Sequence, residues 1–171
     1  MLLVGASGSG KSTFAARHFL PSEVLSSDAF RALVADDERD MSATADAFDV
    51  LHLVAARRLA AGRLTVVDAT NVEPAWRRPL IALAREHGRV AVAIVFDLPA
   101  ALCLERNAVR GDRRVPSRVV RRQHGLLRRS LGRLEREGLR RVLLLRTPDE
   151  VAAATVGRER APAGPGQDGG Q

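Results

Sequence analysis

Gly5-Ala6-Ser7-Gly8-Ser9-Gly10-Lys11-Ser12 decides how this chain is read. The octapeptide fits the pattern G-x-x-x-x-G-K-[ST]. In that pattern glycine-rich backbone N–H groups turn inward on a phosphate, and the next helix aims its positive end at the same point. Lys11 is the only lysine in 171 residues, and arginine fills the other 26 basic positions. Keeping one ammonium in such a sequence points to geometry. A compact charge on a flexible stem can lie along the loop and bridge two phosphates, whereas a planar guanidinium is too wide for the cradle. Ser12 is expected to ligate Mg²⁺, and Gly5, Ser7, Gly8, Ser9, Gly10 and Thr13 complete the cradle. Leu2-Leu3-Val4 before the motif reads as a strand, and Thr13 to Phe19 as a helix that stops ahead of Pro21. Strand, loop and helix in that order turn a string match into a nucleoside triphosphate site.

Outward from this centre, strand and helix signals alternate. Strands are expected at Glu23–Ser26, Leu64–Val67, Val90–Phe96 and Arg141–Leu145. Helices are expected at Ala43–Ala61, with Ser42 as cap and Gly62 at its end, and at Pro74–His87, Ala100–Arg110, Ser117–Glu137 and Asp149–Thr155. Five strands separated by helices imply an α/β P-loop kinase fold, with a central parallel sheet covered on both faces and an arginine-rich helical lid at about 106–130. Ligands then sit beyond the carboxyl ends of the strands. Residues 1–156 read as one domain, and 157–171 as a flexible Gly/Pro-rich tail.

Composition excludes several classes. No apolar stretch approaches the roughly 18 residues of a membrane span, and no signal-peptide pattern opens the chain. A single cysteine, Cys103, cannot form an internal disulfide, which suggests the cytoplasm; on an apolar helix face it reads as a small core residue. The net charge of +7 is lopsided. Residues 1–100 carry 11 basic and 12 acidic side chains, whereas residues 101–171 carry 16 basic and 8 acidic. That split suggests a face for polyanions, either the triphosphate or a nucleic-acid backbone. With no Tyr, one Trp and five Phe, no aromatic stacking platform is evident.

The remaining polar residues narrow the reaction. Ser26-Ser27-Asp28 ends the second strand, so Asp28 lies on the same edge as the P-loop, with Arg31 one helical turn on. Asp28 can take the proton of an attacking hydroxyl, and Arg31 can hold a phosphate of the acceptor. The alternative is a helix-start Asp paired with its own Arg. Asp68, after Leu64 to Val67, has the position of an acid that holds Mg²⁺ through water, and Asn71 closes the polar cluster Asp68-Ala69-Thr70-Asn71 as a further substrate contact. Arg106 and Arg110 share a helical face, with Arg113 and Arg114 following, and can close over the triphosphate as a lid. Arg121, Arg122, Arg128, Arg129, Arg133 and Arg136 are weaker evidence, most of them reading as solvated helix faces.

Taken in order, Gly5 to Phe14, Ser26-Ser27-Asp28-x-x-Arg31, Thr65-Val66-Val67-Asp68-Ala69-Thr70-Asn71 and Cys103-x-x-Arg106-Asn107-x-x-Arg110 carry a family likeness. With Ala47 to His52 and Glu135 to Gly138, the chain resembles the polynucleotide 5′-kinase domain of bacterial polynucleotide kinase-phosphatase, an RNA end-healing enzyme, from about Leu2 to Val151. The resemblance implies transfer of the γ-phosphate of ATP or GTP to a 5′-OH end of RNA, more than DNA. Asp28 would be the general base, Arg31 the holder of the acceptor's 3′-phosphodiester, and Arg106 and Arg110 the lid arginines. Phosphatase and ligase modules would lie outside this chain. Its four histidines (His18, His52, His87 and His124) fall at no metal-ligand spacing. A homodimer is left open.

Two other readings remain. One is a P-loop kinase for a small metabolite or nucleotide sugar, which needs a closed pocket with convergent polar groups where a polynucleotide kinase needs an open basic channel. The other is a non-catalytic, nucleotide-gated nucleic-acid-binding module, which would have lost a catalytic residue. A signalling GTPase is disfavoured, since Asn-Lys-x-Asp cannot occur in a chain whose one lysine is Lys11.

Overall fold

The computed structural model describes residues 1–111 and 114–157. Arg113 and the tail beyond residue 157 lie outside the described residues. Five strands form one sheet: β1 (Leu2–Gly5), β2 (Val24–Ser26), β3 (Val66–Asp68), β4 (Val92–Phe96) and β5 (Arg141–Leu145). The order is β2-β3-β1-β4-β5, with every neighbouring pair parallel. β1 is central, with Leu2 opposite Val67 on one side and Ala93 on the other. The expected five-stranded parallel α/β sheet is present.

Among the described residues six α-helices lie between the strands, α1 (Lys11–His18), α2 (Ser27–Ala35), α3 (Thr44–Ala60), α4 (Pro74–Glu86), α5 (Ala100–Ala108) and α6 (Ser117–Ser130), and α7 (Pro148–Ala153) follows β5. The two-residue period of each strand sorts its side chains to opposite faces. Leu2, Val4, Val67, Ala93 and Val95 pack with Phe48 and Leu51 of α3, Leu80 of α4 and Leu127 of α6. Leu3, Val66, Ile94 and Phe96 pack with Phe14 and Ala15 of α1, joined by Val151 of α7. A third cluster of Ala6, Leu98, Cys103 and Val120 locks α5 and α6 to the phosphate loop. Cys103 is the small core residue expected, and burial pushes its thiol pKa up.

Several boundaries differ from expectation, and three of them have a visible physical reason. The single helix expected over Ser117–Glu137 is α6 followed by a 3₁₀ segment, Leu131–Glu137. Ser130 Oγ donates back to Leu127 O (3.0 Å) and across to Val72 O (3.3 Å), and Gly132 follows, so the α-helical ladder gives way there. β4 begins at Val92, because Val90 is exposed at the rim. Asp28 opens a nine-residue helix, α2, where only a turn was expected; Ser26 caps it, its Oγ accepting from Ala29 N (3.5 Å).

Candidate active site

The phosphate loop runs from β1 into α1 and is held from three sides. Gly5 N donates to Thr70 O (2.9 Å), tying the loop to the polar cluster after β3. Ser7 N donates to Gln123 Oε1 (2.9 Å) of α6. Gly8 has φ +81°, and a Cβ there would lie 2.2 Å from the Cys103 carbonyl oxygen, so α5 sits directly on a backbone that only glycine allows. Lys11 is buried, its Nζ donating to Ala6 O (2.9 Å) and Ser9 Oγ (3.3 Å). Burial lowers its pKa to about 8 against the attraction of Asp68, and the ammonium waits inside the loop for anionic charge. The left-handed glycines, the buried cation and a helix start without acidic residues fit a triphosphate.

Two clefts meet at this loop. The first, about 470 Å³, runs along Gly8, Gly10, Ser12, Thr13 and Phe14, with Arg106 and Arg110 beside it and Pro148, Val151 and Ala152 at its far end. The second, about 520 Å³, is lined by Ser27, Asp28, Arg31, Asp68, Thr70 and Asn71, by Phe48 and Trp76, and by Arg114, Val115 and Gln123 from the lid side. Lys11, Ser12 and Arg110 line both.

Most expected site residues converge here. Asp28 is 43% exposed in the second cleft and ion-paired with Arg31, the contact falling on Oδ1, which also accepts from Ser27 Oγ (3.3 Å). Arg31 Nε donates to Glu38 O (2.8 Å), fixing the guanidinium from behind. Asp28 is therefore both a cleft carboxylate and the partner of its own i+3 arginine. Asp68 ends β3 beside Lys11, buried, on the cleft floor. Asn71 is more structural than expected: it is buried with φ +48°, and its Nδ2 donates to Leu3 O (2.8 Å) of β1. Its Oδ1 has no partner among the described residues. Arg106 lies in the last turn of α5 and Arg110 just beyond it. Asn107 ties the end of α5 to Val115 just before α6, donating from Nδ2 to Val115 O (2.7 Å) and accepting at Oδ1 from Val115 N (3.1 Å).

Sequence reasoning missed four features. Arg77, fully buried in α4, donates from Nε and Nη2 to the two carboxylate oxygens of Glu137 (2.7 and 2.6 Å) and from Nη1 to Asn71 O (2.6 Å). Sixty residues separate the pair, so no local pattern announces it. Asp97 follows β4 as Asp68 ends β3, and the same positional logic could have found it. It accepts from Arg128 Nη1 (2.8 Å), so Arg128 is anchored rather than merely solvated. Gln123 has no sequence signal beyond its helix face. Trp76 and Phe48, 28 positions apart, bring their rings to 4.8 Å at 37° on the second cleft, an aromatic wall that composition did not suggest.

Among the described residues no group of three or more metal-ligating side chains occurs, and no helix is long and apolar enough to cross a membrane. Asp68 and Ser12 remain as the oxygen donors suited to a phosphate-bound Mg²⁺ that keeps its waters. Two solved structures share the fold. The "putative kinase" of Chloroflexus aurantiacus superposes with a TM-score of 0.56 at 19% identity, over 85% of this chain and 82% of that one. A gluconokinase of Sinorhizobium meliloti gives 0.52 at 20% identity, over 88% and 83%. A family model covers the phosphate loop, the whole lining of the second cleft and α6 in a single match to residues 1–134, and the chain belongs to that family, AAA_33, an AAA domain.

Proposed function

We propose that this protein is a P-loop kinase that transfers the γ-phosphate of a nucleoside triphosphate to a hydroxyl of a small acceptor. The observation that carries this reading is the meeting of the two clefts at Lys11, Ser12 and Arg110, one suited to a nucleotide and the other walled on several sides and set with convergent polar groups. The triphosphate, when bound, supplies the phosphoryl group, and a Mg²⁺ on it would offset the charge of its oxygens. Asp28 accepts the hydroxyl proton at Oδ2, because Oδ1 is engaged by Arg31 and Ser27. The hydroxyl oxygen forms its bond to the γ-phosphorus as the bond to the bridging oxygen breaks. Lys11 and the loop N–H groups receive the charge left on the departing diphosphate, and Arg106 and Arg110 neutralise the transferring group. Ser12 and Asp68 are the residues that would hold the Mg²⁺, Asp68 through water.

A second reading, a 5′-OH polynucleotide end as acceptor, is favoured by one observation: Arg31, Arg39, Arg110 and Arg114 line the acceptor cleft. Phosphate transfer from γ-labelled ATP to a panel of small hydroxyl compounds and 5′-OH oligonucleotides separates the two. Labelling of small compounds at rates well above the oligonucleotide is expected. Labelling of oligonucleotides alone would move the assignment to the second reading.

A further inference from the structure

Trp76 is the only tryptophan of the chain, and it stands 38% exposed in the acceptor cleft, in the first turn of α4. A large ring left open beside a carboxylate and a phosphate loop is an uncommon use of apolar surface, and its setting is specific. Phe48 backs it at 4.8 Å and is itself buried, with His52 edge-on behind (5.9 Å). The indole plane is thus fixed by packing, while another side faces the cleft. Met41 and Ala69, together with Val115, Pro116 and Val119 from the lid, give the same cleft further apolar wall. Its charged groups include Lys11, Asp28, Arg31, Arg39, Asp68 and Arg110.

We propose that the acceptor carries a flat, largely apolar ring system that lies against Trp76 while its hydroxyl reaches Asp28. This rests on the second cleft being the acceptor site. A ring buries its faces on the aromatic wall and leaves the polar functions to the carboxylate and guanidinium groups. A linear polyol would present hydroxyls to that wall with no partner for them. Gluconate-type acceptors are therefore disfavoured for this chain, although a gluconokinase shares its fold.

Trp76 also supplies its own test, since a chain without Tyr owes its long-wavelength protein emission to this one residue. The full chain, with Mg²⁺ and a non-hydrolysable ATP analogue, is titrated with two sets of hydroxyl compounds: nucleosides and aryl glycosides, and aldonic acids and polyols. Saturable quenching by ring compounds only is expected, and transfer from ATP to the compounds that quench. Trp76→Ala should raise KM for those acceptors about tenfold or more, as for the loss of one stacked ring, with kcat little changed. Trp76→Phe should recover most of the loss, and circular dichroism checks that both variants fold. Phosphorylation of a polyol or aldonic acid with a KM indifferent to Trp76→Ala would overturn the proposal and leave the kinase reading intact. Failure of ring compounds both to quench and to accept phosphate would also overturn it. Saturable quenching without transfer to any acceptor would instead count against the kinase reading.

Discussion

Lys11 is the residue on which nucleotide binding turns, and its burial makes that binding depend on pH. Its pKa in the free protein is about 8, held down by desolvation. Phosphate charge favours the ammonium, so the nucleotide-bound pKa lies higher. Below pH ~8 both states carry the proton and affinity is flat. Above it the free protein loses the proton first, binding must take one up, and affinity falls by up to about tenfold per pH unit. Calorimetry in buffers of different ionisation enthalpy should find proton uptake approaching one per nucleotide as pH passes 8; affinity unchanged from pH ~7 to ~9.5 would contradict this. Lys11→Arg should abolish transfer, because Nζ occupies a site bounded by Ala6 O and Ser9 Oγ that a guanidinium cannot enter without opening the loop. Asp28→Asn tests the base. Turnover should fall by about 10² or more with nucleotide affinity little changed. A parallel loss of affinity would recast Asp28 as a support for Arg31.

Two junctions between elements carry more than their sequences suggest. Gly8 touches α5 through the Cys103 carbonyl. Gly8→Ala therefore strains a left-handed φ and pushes the lid's root away from the loop, and nucleotide binding should be lost although no charged group is removed. Equilibrium binding of ADP to a variant shown to be folded checks this. The second junction is Arg77 of α4 with Glu137 of the 3₁₀ segment, which also holds the carbonyl of Asn71. Arg77→Met leaves a buried carboxylate without its partner and should cost about 3–5 kcal/mol, whereas adding Glu137→Met should restore much of that. Denaturant unfolding of the single and double variants decides. These junctions explain what the sequence withheld. Strand runs, the phosphate loop and the carboxylates at strand ends are local patterns, and Lys11, Ser12, Asp28 and Asp68 were legible from them. Arg77 with Glu137, Gln123 with Ser7, and Trp76 with Phe48 are brought together by folding across many residues, and nothing in either neighbourhood marks its partner. Asn71 was placed at the right edge, but its structural bond to Leu3 O becomes visible only when β1 and β3 are paired.

At the scale of the whole molecule, the sheet sets a left-right division. β1 is central, so the loop after it faces β3 with its carboxylate on one side and β4 with the root of the lid on the other. Nucleotide alone should slow amide exchange around Gly8–Phe14 and Leu102–Arg110 and leave Ser27–Thr44 nearly unaffected, with acceptor required to protect the latter. Uniform protection by nucleotide alone would mean that the two sides close together. The arginines of the lid belong to this scale, because they come to the junction only when α5 and α6 are seated. Arg106→Ala should lower single-turnover transfer by about 10² or more, given the ~10³–10⁵ that a supplied arginine contributes elsewhere, without lowering the unfolding midpoint.

The two clefts also differ in how the chain supplies them. No residue between Arg17 and Arg106 lines the nucleotide cleft, whereas most of the acceptor cleft comes from the one stretch between Ser27 and Trp76. On the proposed assignment, the acceptor's wall is thus written mostly in one passage of the gene, with the phosphate loop and Arg110 shared by both clefts. A single recombination event that exchanges the segment from β2 to the start of α4, between relatives with the same strand order, would pass on a new acceptor while the inherited triphosphate site stays as it was.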